Sequence, residues 1–225
     1  MNVLVLGADR GLGRVLVRML HERGFHVTAG YYDPENAEGT DGVLCLPMDV
    51  TSDEQLESAR EKILEREGGL DAVIHVAGVL LPSDRTCTLM DAPLADISRH
   101  LEVNAVGLVR AFRILYPAMN QGSRYFAVTS EGGSFTLAGT LYPAYSVSKT
   151  AANKFVQVLR LTVGSDKVDL IAVHPGRMNT EMGRDTHQIE PEESAEGFIR
   201  LLDGTTAVNS QESWFIDYTG KPMPV

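Results

Sequence analysis

Cysteine is nearly absent from the chain: Cys45 and Cys87 are the only two in 225 residues. Two thiols in mixed apolar surroundings make neither a disulfide framework nor a metal-binding spacing. They predict reduced thiols in a cytoplasmic protein, and no metal site is expected. Basic residues are the second shortage. With 20 Lys and Arg against 30 Asp and Glu, the formal net charge is −10, which argues against nucleic acid or an anionic membrane surface as the main partner. No apolar run approaches the ~20 residues of a membrane span. The chain opens directly on a strand-like Asn2–Leu6, with no basic n-region, apolar h-region or small-residue cleavage site, so no leader is expected. Repeats, low-complexity tracts and an internal linker are missing too. Residues 1–225 therefore read as a single domain with room for one sizeable core.

What is present is an alternation of strands and helices. Strand-like runs stand at Asn2–Leu6, Phe25–Ala29, Val43–Leu46, Leu70–Gly78, Tyr125–Thr129, Val168–Val173 and Trp214–Ile216. Helical periodicity fills the gaps: Val15–Leu20 stopping at Gly24, a helix opened by Thr51–Glu54, a stretch from Leu94 to Ala118, the segment after Tyr145, and Pro191–Leu202. Such alternation predicts an α/β fold, a single-domain doubly wound parallel sheet of Rossmann type. Ligands of these sheets sit beyond the carboxyl ends of the strands. Gly7, Asp49, Gly78, Ser130 and Thr180 all fall just after strands. The turn Gly7-Ala8-Asp9-Arg10-Gly11-Leu12-Gly13, lying between a strand and a helix, has the context of a phosphate cradle. Glycines allow close backbone approach, and the helix N-terminus offers free N–H groups. The spacing is G-x3-G-x-G, and a plain strand-to-helix turn is the competing reading. Asp49 reads equally as an acid at the start of a helix. His75, within a buried-looking strand, reads as a hydrogen-bonded core histidine. Asn104 in a helical stretch suggests a kink or a polar role facing a site.

The run Tyr145-Ser146-Val147-Ser148-Lys149 carries the most chemistry. At helical spacing Tyr145 and Lys149 share a face. A phenol ionises near pH ~10, and a neighbouring ammonium favours the phenolate. Lowering its pKa by about 3 units takes roughly 4 kcal/mol. The expectation is a proton donor or acceptor tuned by Lys149, although this pair also arises by chance in amphipathic helices.

With these motifs in order, the chain resembles the short-chain dehydrogenase/reductase family over essentially its whole length. Gly7, Gly11 and Gly13 match its TGxxxGxG turn, Asp49-Val50 its adenine-contacting acid, and His75–Gly78 its NNAG turn. Asn104, Ser130, Tyr145 and Lys149 match its catalytic set, and Pro175-Gly176 with Thr180 its PGxxxT segment. The Ser130–Ser134 run and the ending Phe215–Lys221 look most like the C-factor/sniffer-like carbonyl reductases. Leu6 stands where the family has threonine, and His75 and Val76 replace both asparagines, so those turns must be braced differently or be looser.

The resemblance implies an NAD(P)-dependent oxidoreductase acting on a small carbonyl or alcohol. Tyr145 would be the general acid/base, Lys149 would depress its pKa and bind the nicotinamide ribose, Ser130 would hold the substrate oxygen, and Asn104 would keep a relay water. The implied cofactor contacts are Gly7, Asp9, Arg10, Gly11, Leu12, Gly13, Tyr32, Asp49, Val50, Ala77, Gly78, Pro175, Gly176, Met178 and Thr180, together with Asn104, Tyr145 and Lys149. NADP(H) is the preferred form, with NAD(H) possible. No acid stands at Tyr31 and no arginine at Tyr32, while Arg10 is within reach of a 2′-phosphate. A short polar lid is expected at about 178–195, including Met182, Arg184 and His187. Pocket walls are expected from Val79, Leu80, Leu81, Phe135 and Leu137. If the two extra residues between Ser130 and Tyr145 misalign Ser130, Ser134 is the runner-up hydroxyl. Apolar stripes on the helices around Ala105–Leu115 and after Lys149 predict a homodimer or larger homo-oligomer. The competing function is a dinucleotide-binding regulatory or signalling protein of the C-factor type. A nucleotide-sugar epimerase is disfavoured by the short segment after Thr180.

Overall fold

The computed structural model describes residues 1–37, 39, 41–137, 139–183 and 186–225, and side chains except that of Pro34; Arg184 lies outside the described residues. Seven strands form one parallel sheet in the order β3-β2-β1-β4-β5-β6-β7. They are β1 (Asn2–Leu6), β2 (His26–Tyr31), β3 (Leu44–Pro47), β4 (Leu70–His75), β5 (Met119–Val128), β6 (Val168–His174) and β7 (Phe215–Asp217). The helices are α1 (Gly11–Glu22), α2 (Asp53–Glu67), α3 (Leu94–Leu101), α4 (Gly107–Leu115), α5 (Pro143–Val163) and α6 (Pro191–Leu202). The doubly wound architecture read from the sequence is the one observed.

Alternation within each strand separates the two cores. Leu4 and Leu6 face the side covered by α2, α4 and α5, where Leu56, Ile63, Phe112 and Val156 are buried. Val3 and Val5 face α1 and α6, against Leu16, Leu20 and Phe198. A strand covered on both faces must be apolar throughout, which is why β1 reads as an unbroken hydrophobic run.

Local chemistry sets the ends of the helices. The Ser52 hydroxyl accepts from the Gln55 N–H at 3.2 Å to start α2, and Gly68 ends it in a left-handed conformation at φ 72°. Those signals were visible in the sequence. Several strand boundaries differ from the expectation, and two of the differences, in β2 and β5, follow from pairing. β2 continues to Tyr31 because pairing with β3 persists through Gly30↔Leu46 and Tyr31↔Pro47; Tyr31 is consequently buried, not in a loop. β5 begins at Met119, paired with Leu70, before a register shift lets the strand continue. The stretch from 94 to 118 is broken by a π-helical turn at Glu102–Val106, with Asn104 at its centre. None of the described helices is long and apolar enough to cross a membrane.

Candidate active site

The chain winds outward from β1 to β3 and then returns to β4, so the crevice between β1 and β4 is the switch point of the sheet. The glycine turn and the end of β4 meet there. Gly7 has φ 94°, and a Cβ on it would stand 2.6 Å from the Ala77 nitrogen. A Cβ on Gly13 would reach 2.0 Å from the Gly7 carbonyl oxygen, which locks α1 against the turn. The missing threonine and asparagines are compensated by backbone bonds. Gly7 and Ala8 N–H donate to Gly30 O, each at 2.9 Å, and Val76 and Ala77 N–H donate to Leu6 O at 2.8 and 2.9 Å. Leu6 spends its side chain on the core instead.

α1 starts without a side-chain cap and without an acidic residue in its first turn. Its N-terminal N–H groups at Gly11, Leu12 and Gly13 therefore face an edge where an anion is favoured. This cradle, which a Cβ would fill, fits the pyrophosphate of a dinucleotide. Thr180 closes it from the other side, its γ-methyl 3.4 Å from where a Gly11 Cβ would be. Pro175 is buried and Gly176 has φ 83°, a conformation that lets the chain leave β6 against Ile189 and Tyr218. Met178 pairs with Ile189, so the segment folds back on itself. α6 begins at Pro191, as the sequence leads one to expect.

The carboxyl ends of β1 and β2 carry charges of both signs. The carboxylate of Asp9 turns to the end of β2, accepting from the N–H groups of Tyr32 (3.0 Å) and Asp33 (2.9 Å). The exposed Arg10 guanidinium is paired with Glu181 at 2.5 Å, bridging the glycine turn and the segment after Thr180. Asp49 uses Oδ1 to accept from both the N–H and the hydroxyl of Thr51, bracing the turn that precedes α2. Val50 is buried in the core against Gly107, and its carbonyl accepts from Arg110.

Four polar groups converge at the carboxyl ends of β4 and β5. The Tyr145 phenol lies beside the Ser130 hydroxyl, which favours its ionised form. Ser130 also accepts from Gly132 N–H at 3.1 Å, which fixes the turn beyond β5. Close packing holds that turn on α5, since a Cβ on Gly133 would stand 2.8 Å from the Lys149 carbonyl carbon and oxygen. Buried Lys149 places Nζ 5.6 Å from the centre of the Tyr145 ring and donates to Val128 O at 3.0 Å. Buried Asn104 accepts from Val79 N–H at 2.7 Å and donates to Val79 O and to Ser148 Oγ, both at 2.9 Å. The Ser148 hydroxyl in turn donates to Tyr145 O at 2.7 Å. Ser148 was not singled out from the sequence; its signal is a small polar residue between Tyr145 and Lys149 on the inner helix face.

Burial sets the protonation of this cluster. It pushes the Tyr145 phenol up to about 12, with Ser130 pulling the other way and Glu131 adding to the rise. Burial also brings Lys149 down to about 8. The direction for Tyr145 is opposite to the expectation from helix spacing, because Lys149 is directed at the Val128 carbonyl while the ring loses solvent. His75 is a core histidine, its Nδ1 2.7 Å from the Tyr125 hydroxyl; burial, with Lys149 adding, lowers it to about 3. Ser134 is buried and accepts from the N–H groups of Thr136 and Leu137, so its hydroxyl caps a turn.

The family profile described as short chain dehydrogenase matches residues 1–191. The chain belongs to the short-chain dehydrogenase family. Among curated relatives of this dehydrogenase, 1-hydroxy-2-glutathionyl-2-methyl-3-butene dehydrogenase of Rhodococcus sp. (strain AD45) is 34% identical over 216 residues, 93% of each chain. The C-signal protein of Myxococcus xanthus is 32% identical over 161 residues, 70% of this chain and 93% of that one. Among solved structures, a carbonyl reductase from Pseudomonas aeruginosa PAO1 in complex with NADP superposes with a TM-score of 0.84 at 26% identity. That match covers 100% of this chain and 99% of the other. The dehydrogenase is thus an oxidoreductase close to the carbonyl reductases.

Proposed function

We propose that this dehydrogenase interconverts a small carbonyl compound and its alcohol, using NADP(H) in preference to NAD(H). The observation that carries the proposal is the Tyr145 phenol beside the Ser130 hydroxyl, with buried Lys149 5.6 Å from the ring centre, at the sheet edge where the glycine cradle lies. When bound, the nicotinamide supplies or accepts the hydride. Gly7, Gly11, Leu12 and Gly13 hold its pyrophosphate, Tyr32 and Asp49 border the adenosine, and Pro175 to Thr180 with Ala77 and Gly78 enclose the nicotinamide end. Lys149 binds the nicotinamide ribose, and Asn104 supports a relay water. Ser130 orients the carbonyl oxygen, and Tyr145 gives it a proton in reduction and removes one in oxidation. With the phenol raised by burial, Tyr145 is protonated at neutral pH, the form a reductase needs.

Phe135, Leu137 and Leu141 stand exposed around the Ser130 turn. A lid this short leaves one side of the pocket open, so small aldehydes and diketones are expected to turn over faster than polycyclic ketones. The test is oxidation of NADPH against a panel of aldehydes, ketones and quinones; tight NADPH binding with no turnover across the panel would favour the signalling reading that likeness to the C-signal protein supports.

NADP selectivity rests on Arg10, whose exposed pairing with Glu181 a 2′-phosphate can replace. Asp9 works against it, because its carboxylate lies at the end of β2. Arg10→Ala is therefore expected to raise KM for NADPH about tenfold, the scale of one charge-assisted contact, and to leave kcat/KM for NADH unchanged. Equal efficiency with both cofactors, unaltered in Arg10→Ala, refutes the preference.

The same reading extends to assembly. Val147, Phe155, Val158 and Leu161 form an exposed apolar stripe along α5, with Val106 exposed at the π-helical turn. A homodimer through this stripe is expected in light scattering at micromolar concentration, with Val158→Glu shifting it to monomer. A monomeric wild type contradicts the assignment.

A further inference from the structure

The start of α5 is held by a residue far from it in the chain. Tyr142, just before the helix, has φ 52°, the one positive value outside glycine among the described residues, and supplies no side-chain cap. Pro143 follows and has no N–H. Ala144 and Tyr145 therefore carry the first free donors of the helix, and one carboxylate takes both. Asp84 Oδ1 accepts from Ala144 N–H at 2.9 Å, and Oδ2 accepts from Tyr145 N–H at 2.8 Å. Asp84 lies 60 residues upstream of Ala144 and is 3% exposed.

Both the strained Tyr142 and a buried carboxylate are costly on their own. Together they fit, because a helix N-terminus is the partial positive charge that a buried carboxylate needs. We infer that Asp84 is a positioning residue, a cap supplied across space that fixes the backbone of Tyr145 and so aims its phenol at Ser130. The inference rests on Tyr145 being the proton donor proposed above.

The turn that carries Asp84, Pro82–Arg85, is itself anchored. Ser83 Oγ donates to Asp96 at 2.5 Å, and Leu81 N–H donates to His100 Nε2 at 3.1 Å. His100 Nδ1 donates to Asp96 O at 2.8 Å. With Nε2 accepting from Leu81, His100 leaves the Asp84 carboxylate oxygens, the nearer 4.0 Å away, to the helix. The next residue, Arg85, donates to the Met182 carbonyl at 2.7 Å and lies 5.8 Å from the centre of the Tyr142 ring. One short turn thus holds the reactive helix with an acid and the lid with a base.

The test compares Asp84→Ala and Asp84→Asn with wild type for kcat, KM, NADPH affinity by fluorescence, and thermal midpoint. Asp84→Ala is expected to lower kcat about 10²-fold, the scale of a misplaced reacting group. KM for the carbonyl and Kd for NADPH should hold within about twofold, because the glycine cradle is on separate elements. Asp84→Asn keeps one acceptor oxygen and is expected to recover part of kcat, so the test survives if the alanine variant does not fold. Wild-type kcat in Asp84→Asn with only a lower thermal midpoint, or a parallel loss of kcat and NADPH affinity, overturns the positioning role. Wild-type kcat in Asp84→Ala beside an inactive Tyr145→Phe removes this inference alone, whereas an active Tyr145→Phe removes the reading beneath it.

Discussion

Replacing Tyr145 by phenylalanine is expected to lower kcat about 10³-fold, the scale of a lost general acid, while NADPH affinity stays within about twofold. The ring still packs on α5, Lys149 keeps its bond to Val128 O, and the glycine cradle is untouched. Only the transferable proton disappears. No substitute is at hand: Tyr142 is directed at Arg85, and Tyr125 is bonded to His75 inside the core. Steady-state kinetics with a reducible aldehyde and a fluorescence titration of NADPH measure the two quantities separately. More than a few per cent of wild-type kcat would show that the proton comes from elsewhere.

The second large effect belongs to Ser130. Its hydroxyl is the one that lies beside the phenol and favours its ionised form, so it is placed to hold the same oxygen that Tyr145 protonates. Ser130→Ala is expected to cost about 2–4 kcal/mol of transition-state stabilisation, the loss of one aimed donor, or about 30- to 10³-fold in kcat. Ser134→Ala removes instead the acceptor for two backbone N–H groups. It is expected to cost about 1 kcal/mol of stability and to leave kcat within about threefold. The reverse pattern, a crippled Ser134→Ala and a mild Ser130→Ala, would move the assignment to Ser134.

Most of the fold could be read from the sequence because its signals are local. Alternating apolar runs mark the strands, Ser52 and Gly68 bound α2, and glycines mark the cradle at Gly7 and Gly13. The strand ends were less readable, since β2 extends to Tyr31 only through pairing with β3. The site divides in the same way. Tyr145, Lys149, Ser130 and Asn104 could be chosen by spacing and resemblance, and the fold gathers them. Asp84 and Ser148 could not be, because their significance lies in contacts with Tyr145 and Asn104 that sequence distance hides. Spacing also suggested the wrong direction for the phenol. It counted a lysine one helical turn away, but not the burial of both groups or the carbonyl that Lys149 faces.

The account depends on direct transfer to a carbonyl carbon with the proton managed by the protein. The most direct test is reduction of a small aldehyde with NADPH deuterated at the transferring nicotinamide position, followed by mass spectrometry of the alcohol. One deuterium on the carbinol carbon, formed by wild type and about 10³-fold more slowly by Tyr145→Phe, is the predicted result. Alcohol without deuterium, or NADPH that binds tightly while no alcohol forms from any aldehyde or diketone tried, would contradict it.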